Sequence, residues 1–248
     1  MRNYFGSVHL IIKNCSVSFC YFTIEHLKLN KVQLALFIQN VEFQKPNLSN
    51  YMIFSTFIYL FFIILSSSDH QNSTEIKDLY NTGEISKGVV LIDGETDPHY
   101  KLIKSSDNGY PGPDCKVSLS NGFPMDRWVP NSNRSKWIAP RTDAFKFNEP
   151  GIYVYRTEFD LSEFESENIV ISGVWSTDNN GVDILINGNS TGFATPIEAY
   201  YGMFPFEIKN GFVKGINTLD FLVYNISAPT GLRVELQGRG VKKIITSR

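Results

Sequence analysis

Three groups of side chains in this sequence could do chemistry. The first is "LIDGETDPHY" (91–100), which sets Asp93 and Asp97 four residues apart with His99 beside them. A carboxylate and an imidazole that reach one substrate atom can serve as base and acid. The same letters also spell a polar β-turn, in which Asp and Gly serve nearby backbone groups, and that reading is preferred. The second group is "SGVWSTDNNGVDILINGNSTG" (172–192), where Asp178, Asn179, Asp183 and Asn187 crowd around two Asn-Gly pairs. A calcium loop wants oxygen ligands at alternating positions that end in a bidentate acid. Asp178, Asn179 and Asp183 do not form that series. Asn180-Gly181 and Asn187-Gly188 each offer the positive φ of a tight hairpin. Turn chemistry is therefore preferred to a metal site. No cofactor is expected, and calcium is the only ion considered for the stretch.

The third group is aromatic. Trp128, Trp137, Tyr110, Tyr200 and Tyr201 fall in or beside expected loops, with Arg127, Arg141, Asp126 and Asn131 among them. Sugar binding needs ring faces that stack on pyranose C–H groups and planar side chains that hydrogen-bond around them. Trp128, Arg141, Tyr201, Trp137 and Tyr200 are the candidate ligand contacts. Trp137, in "SKWIAP", reads better as a core residue capping the fold, and Trp175 alternates with apolar residues and reads as core. "EAYYGMFPF" (198–206) is apolar for a loop, so it either covers an end of the domain or forms a binding patch.

The elements that must position these groups are strands. In "GIYVYRTEFDL" Tyr153, Tyr155, Thr157, Phe159 and Leu161 share one face, while Arg156, Glu158 and Asp160 take the other. Ile169, Ile171, Gly173 and Trp175 share a face in the next segment, then Val182, Ile184 and Ile186, then Leu219, Phe221 and Val223, then Leu232, Val234 and Leu236. Short strands at regular spacing with turn residues between them predict an all-β sandwich or barrel. Prolines 111, 113, 124, 130 and 140 confine residues 107–150 to loops with short strands between them.

Composition excludes several classes. A net charge of −2 with no basic run gives no electrostatic case for nucleic acid. There is no Gly-rich phosphate loop, no G-x-S-x-G elbow and no H-E-x-x-H. The cysteines Cys15, Cys20 and Cys115 form no CxxC pair and the four histidines are scattered, so a structural zinc is not expected. Cys115 reads as a buried small hydrophobe.

Residues 1–51 are left unassigned. Residues 52–65, within the segment 52–68, are uncharged and almost all apolar, shorter than the roughly 20 that cross a bilayer comfortably. They fit the apolar region of a secretory signal with small residues at 66–68, or an uncleaved anchor. A start at Met52 would leave no basic residue ahead of the run. Contact with a membrane is expected only through such an anchor. Residues 69–87 are polar and read as a linker. Asn72, Asn133, Asn189 and Asn225 each begin an N-x-S/T sequon, which is compatible with export.

The order "YRTEFDL", "GVWSTDNNGVDILINGNSTG", "GINTLDFLVYN", "GLRVEL" over residues 150–240 resembles the galactose-binding-like jelly-roll family, as found in bacterial surface proteins and beside glycoside hydrolases. The resemblance implies a two-sheet jelly-roll sandwich of about eight antiparallel strands over residues 88–242, with any ligand site in loops at one end. The expected function is a secreted or cell-surface, non-catalytic module that binds a carbohydrate or surface glycan. A structural or adhesive module with a protein partner is the second reading, and a glycan-active hydrolase the third.

Overall fold

The computed structural model describes residues 73–243, all within the unit Ser68–Arg248. The unassigned segment 1–51 and the signal or anchor at 52–68 lie outside the described residues, as do Cys15, Cys20 and Asn72. Among the described residues no helix is long and apolar enough to cross a membrane.

Alternation of apolar and polar residues fixes the long strands, because successive side chains in a strand point to opposite faces. In β7 (Gly151–Asp160) Tyr153, Tyr155, Thr157 and Phe159 are all buried, as the pattern requires. β8 (Phe164–Asp178), β12 (Ile216–Asn225) and β13 (Gly231–Lys242) bury the faces expected of them. β9 (Asn180–Ile186) departs from its pattern. Ile184 and Ile186 are buried but Val182 is exposed, because the pairing with β12 slips between Leu222 and Val223. Such a slip inserts one residue and turns the next side chain to the other face.

The remaining strands are β1 (Ser73–Glu75), β2 (Glu84–Ser86), β3 (Val89–Val90), β4 (Thr96–Lys104), β5 (Asp114–Val117), β6 (Ile138–Ala139), β10 (Asn189–Ser190) and β11 (Phe204–Ile208). The described residues thus hold thirteen strands rather than about eight. The excess is in short pieces, which Pro- and Gly-rich stretches keep from growing. All pairings are antiparallel, and one large sheet runs β10-β9-β12-β7-β4-β5-β6-β13-β8-β11, with β1 also on β13. The sheet curls so that its two wings meet: Trp175 of β8 stands 5.8 Å from Phe221 of β12, and Phe206 of β11 stands 6.1 Å from it. The shared core lies between them.

Residues 73–87 are not the linker that their polarity suggested. Ile76 and Leu79 are buried in the core, and β1 pairs Ser73 with Val241. Gly238 opens the space they fill: a Cβ there would stand 2.4 Å from Leu79 and 2.9 Å from Ile76. Two apolar anchors in a polar stretch leave no periodicity to read.

Candidate functional site

The site lies where β8 ends. Ser176, Thr177 and Asp178 continue the strand past Trp175, and all three are buried. The chain then crosses to the other wing, since β9 pairs with β12 and β10 and not with β8. Asn180-Gly181 is therefore no hairpin, and neither residue has a positive φ. Gly181 is required for another reason, because a Cβ there would fall 2.2 Å from the Trp175 ring. Asn187 (φ 50) and Gly188 (φ 79) do form the expected tight turn, between β9 and β10.

Three segments gather over the end of β8. A loop carries Phe123, Pro124, Arg127 and Trp128; a 3₁₀ turn, Ala199–Tyr201, carries Tyr200; and the β12–β13 loop carries Ser227 and Pro229. The 3₁₀ turn is tied to β8 by Ser176 Oγ donating to Ala199 O at 2.9 Å and by Ala199 N donating to Asn179 O at 2.8 Å. The aromatic loop is tied to the turn by Val129 N donating to Tyr200 O at 2.6 Å. Thr230 Oγ1 donates to Asp178 O at 2.8 Å and fixes the third segment. Together with Asp178 and Asn179 they line a cup of about 130 Å³. That is well under the roughly 300–1,000 Å³ of a drug-sized ligand site, so the cup suits the edge of one small ring rather than a chain.

Asp178 is the chemical centre. It is 3% exposed, and Trp128 Nε1 donates to its Oδ2 at 2.8 Å. No cation forms an ion pair with it among the described residues. Burial drives its carboxyl up to about 7 against the Trp128 hydrogen bond, and the nearby Glu198 charge adds to the rise. Glu198 itself is exposed and has a left-handed backbone, φ 62.

The expected ligand residues separate. Trp128 and Tyr200 line the cup, but Trp128 is 3% exposed and cannot serve as an open stacking platform. Its indole N–H positions Asp178 instead. Trp137 is wholly buried beneath it, 4.2 Å between rings, with Nε1 donating to Val129 O. Trp137 is thus the core residue that its sequence context favours. Tyr201 is 61% exposed beside Tyr200, with ring centroids 6.4 Å apart, and is not among the cup's lining residues. Arg141 is held elsewhere, by a two-pronged bond to Asp143 (2.5 and 3.0 Å) and by the face of Tyr110 at 4.4 Å. The bond to Arg141 holds the Asp143 carboxyl well below the usual carboxylate range.

Asp178 was read from the sequence as turn chemistry, and Phe123 and Asn179 drew no notice as ligand contacts. The signal that marks Asp178 and Asn179 is the run of polar residues prolonging a strand beyond its last apolar position, whereas nothing comparable in the sequence marks Phe123. "LIDGETDPHY" builds structure. Asp97 is buried and accepts from the backbone N–H of Gly83, His99 and Tyr100. Asp93 accepts from Ser120, and the His99 ring stacks on Tyr80. Asp183 accepts from Ser190 Oγ and from two backbone N–H groups, a turn arrangement. Among the described residues no group of three or more His, Cys, Asp or Glu could hold a metal ion.

No protein-family model matches the chain, and no curated protein matches it.

Proposed function

We propose that this chain is an exported, non-catalytic module that binds carbohydrate in the cup at the end of β8, on a galactose-binding-like jelly-roll sandwich. The observation that carries the reading is a buried carboxyl on the floor of a small cup with aromatic walls. Trp128 occupies one Asp178 oxygen, which leaves the other to accept from ligand hydroxyls. Phe123, 46% exposed, and Tyr200 offer apolar surface to sugar C–H groups. Arg127, whose guanidinium stands 5.8 Å from the Phe123 ring, supplies donors at the same rim. Polar groups at fixed points in an apolar cup orient a small ligand. The curled antiparallel sheet with facing wings supports the sandwich, and the sequence motifs supply the family resemblance.

Export rests on the apolar run at 52–65. The exposed sequon asparagines Asn133 and Asn189 are compatible with it. Asn225 is not open to a glycan in this fold, because it is buried and its Nδ2 donates to Asn148 O and Glu149 O. N-terminal sequencing of secreted material should find a start near residues 66–70, and intact cytosolic protein that retains Met1 would refute the reading.

A glycan array probed with the full chain tests the binding. Saturable capture that Tyr200→Ala weakens by about 1–3 kcal/mol, the scale of a hot-spot aromatic, supports the cup. Capture that Tyr200→Ala leaves unchanged places the ligand elsewhere.

A further inference from the structure

The neighbours of Asp178 have an unusual balance. On the aromatic loop they are Trp128, which donates to Oδ2, and Arg127, which forms no ion pair with Asp178. On and beside the 3₁₀ turn they are Tyr200 and Glu198, and Glu198 is of like charge. On the β12–β13 loop they are Ser227, Pro229 and Thr230, all neutral. Gly231 pairs with Asp178 across the ladder, and Asn179 follows it, both neutral. The nearest buried cation on β13 is Arg233, which instead donates to Ser135 Oγ, Pro130 O and Glu235.

A carboxylate so placed has lost most of its water and has one neutral donor in exchange. Desolvation and a like charge both favour the neutral acid. The cup therefore has a floor that exists in two forms, an acceptor with charge and an acid without it. A hydrogen bond to a charged acceptor is roughly twice as strong as one to a neutral group.

We propose that ligand capture at this cup is gated by protons: the cup holds a hydroxyl-bearing ligand while Asp178 is ionised and releases it as Asp178 takes up a proton. The gate rests on the carbohydrate reading given above. The Asp178 carboxyl, pushed up to about 7 by burial, places the change between mildly acidic and mildly alkaline conditions. The margin by which a hydrogen bond to a charged group exceeds one to a neutral group corresponds to roughly a tenfold change in affinity. Captured ligand lowers the pH at which Asp178 titrates, by the same coupling.

Two measurements on the full chain test this. The carboxyl ¹³C signal of Asp178, assigned by its loss in Asp178→Asn, is followed from pH 3 to pH 9 without ligand. Calorimetric titration with methyl β-D-galactopyranoside and methyl α-D-mannopyranoside is then run at pH 5.5 and pH 8.5. The expected result is a carboxyl midpoint near neutrality and about tenfold tighter binding of one sugar at pH 8.5. Asp178→Asn should bind weakly and equally at both. A midpoint near that of an ordinary aspartate overturns the gate. Equal binding at both pH values by the parent chain also overturns it, while the sugar site stands. Binding at neither pH overturns the sugar site, and the gate with it.

Discussion

Replacing Asp178 with Asn should stabilise the domain, but only where the carboxyl would be ionised. Asn keeps the shape and an oxygen for Trp128 Nε1 to reach, yet it cannot lose a proton. The folded carboxyl is raised from 3.8 to about 7. A shift of one pH unit is worth about 1.36 kcal/mol, so ionisation costs the folded state about 4 kcal/mol relative to the unfolded chain. Because the shift is upward, the contribution of Asp178 to stability is fully present below about pH 4 and falls as pH rises toward 7. Above that it is lost and stays lost. Asp178→Asn and the parent chain should therefore unfold alike at pH 4, and by pH 8 the variant should be more stable by about 4 kcal/mol. For a domain of this size that is about 8–16 °C in Tm. Urea unfolding of both proteins at pH 4, 6 and 8 reads the gap directly, with other titrating groups common to the two. A gap that stays constant across the range would show that Asp178 titrates as an ordinary aspartate. A gap of opposite sign would show that its charge is well satisfied, and the account of the cup floor would be wrong.

Other substitutions probe the packing. Trp175→Ala should cost on the order of 3–5 kcal/mol, and Trp175→Phe much less, since Nε1 has no hydrogen-bond partner; equal losses in denaturant melts would contradict the packing against Phe221. Gly181→Ala should destabilise by about 1–3 kcal/mol through overlap with the Trp175 ring, while Asn180→Ala stays within about 0.5 kcal/mol; a reversed order would mean that Asn180 forms the turn after all. Leu79→Ala should cost about 2–5 kcal/mol, and an unchanged midpoint would restore residues 73–87 to the status of a linker. Trp128→Phe removes the donor to the Asp178 carboxyl, the one such donor among the described residues, and should raise the carboxyl ¹³C midpoint further; a fall would mean that another group supports the carboxylate.

The strands were legible because a buried wing imposes a period of two. Tyr153 to Leu161 and Leu232 to Leu236 could take no other register without exposing their apolar face. What escaped notice depends on contacts distant in sequence. Leu79 is core only because Gly238, far along the chain, leaves it room. Gly181 looked like half of a hairpin, and nothing local shows that the Trp175 ring lies against it. The cup was half legible. Loop aromatics suggested Trp128 and Tyr200, but an indole facing solvent and an indole donating to a buried carboxyl have the same letter. Arg141 was drawn into the set by its planar cation, and its partner Asp143, two residues on, was the overlooked cue.

The ladder between β1 and β13 has a practical consequence. Ser73 pairs with Val241 at one end of β13, and Asp178 pairs with Gly231 at the other. The described segment 73–243 therefore begins and ends on neighbouring strands, about 5 Å apart, while the cup sits ten residues along β13, roughly 34 Å of extended strand. A segment bounded in this way can be spliced into a surface loop of a carrier protein without prising the carrier open.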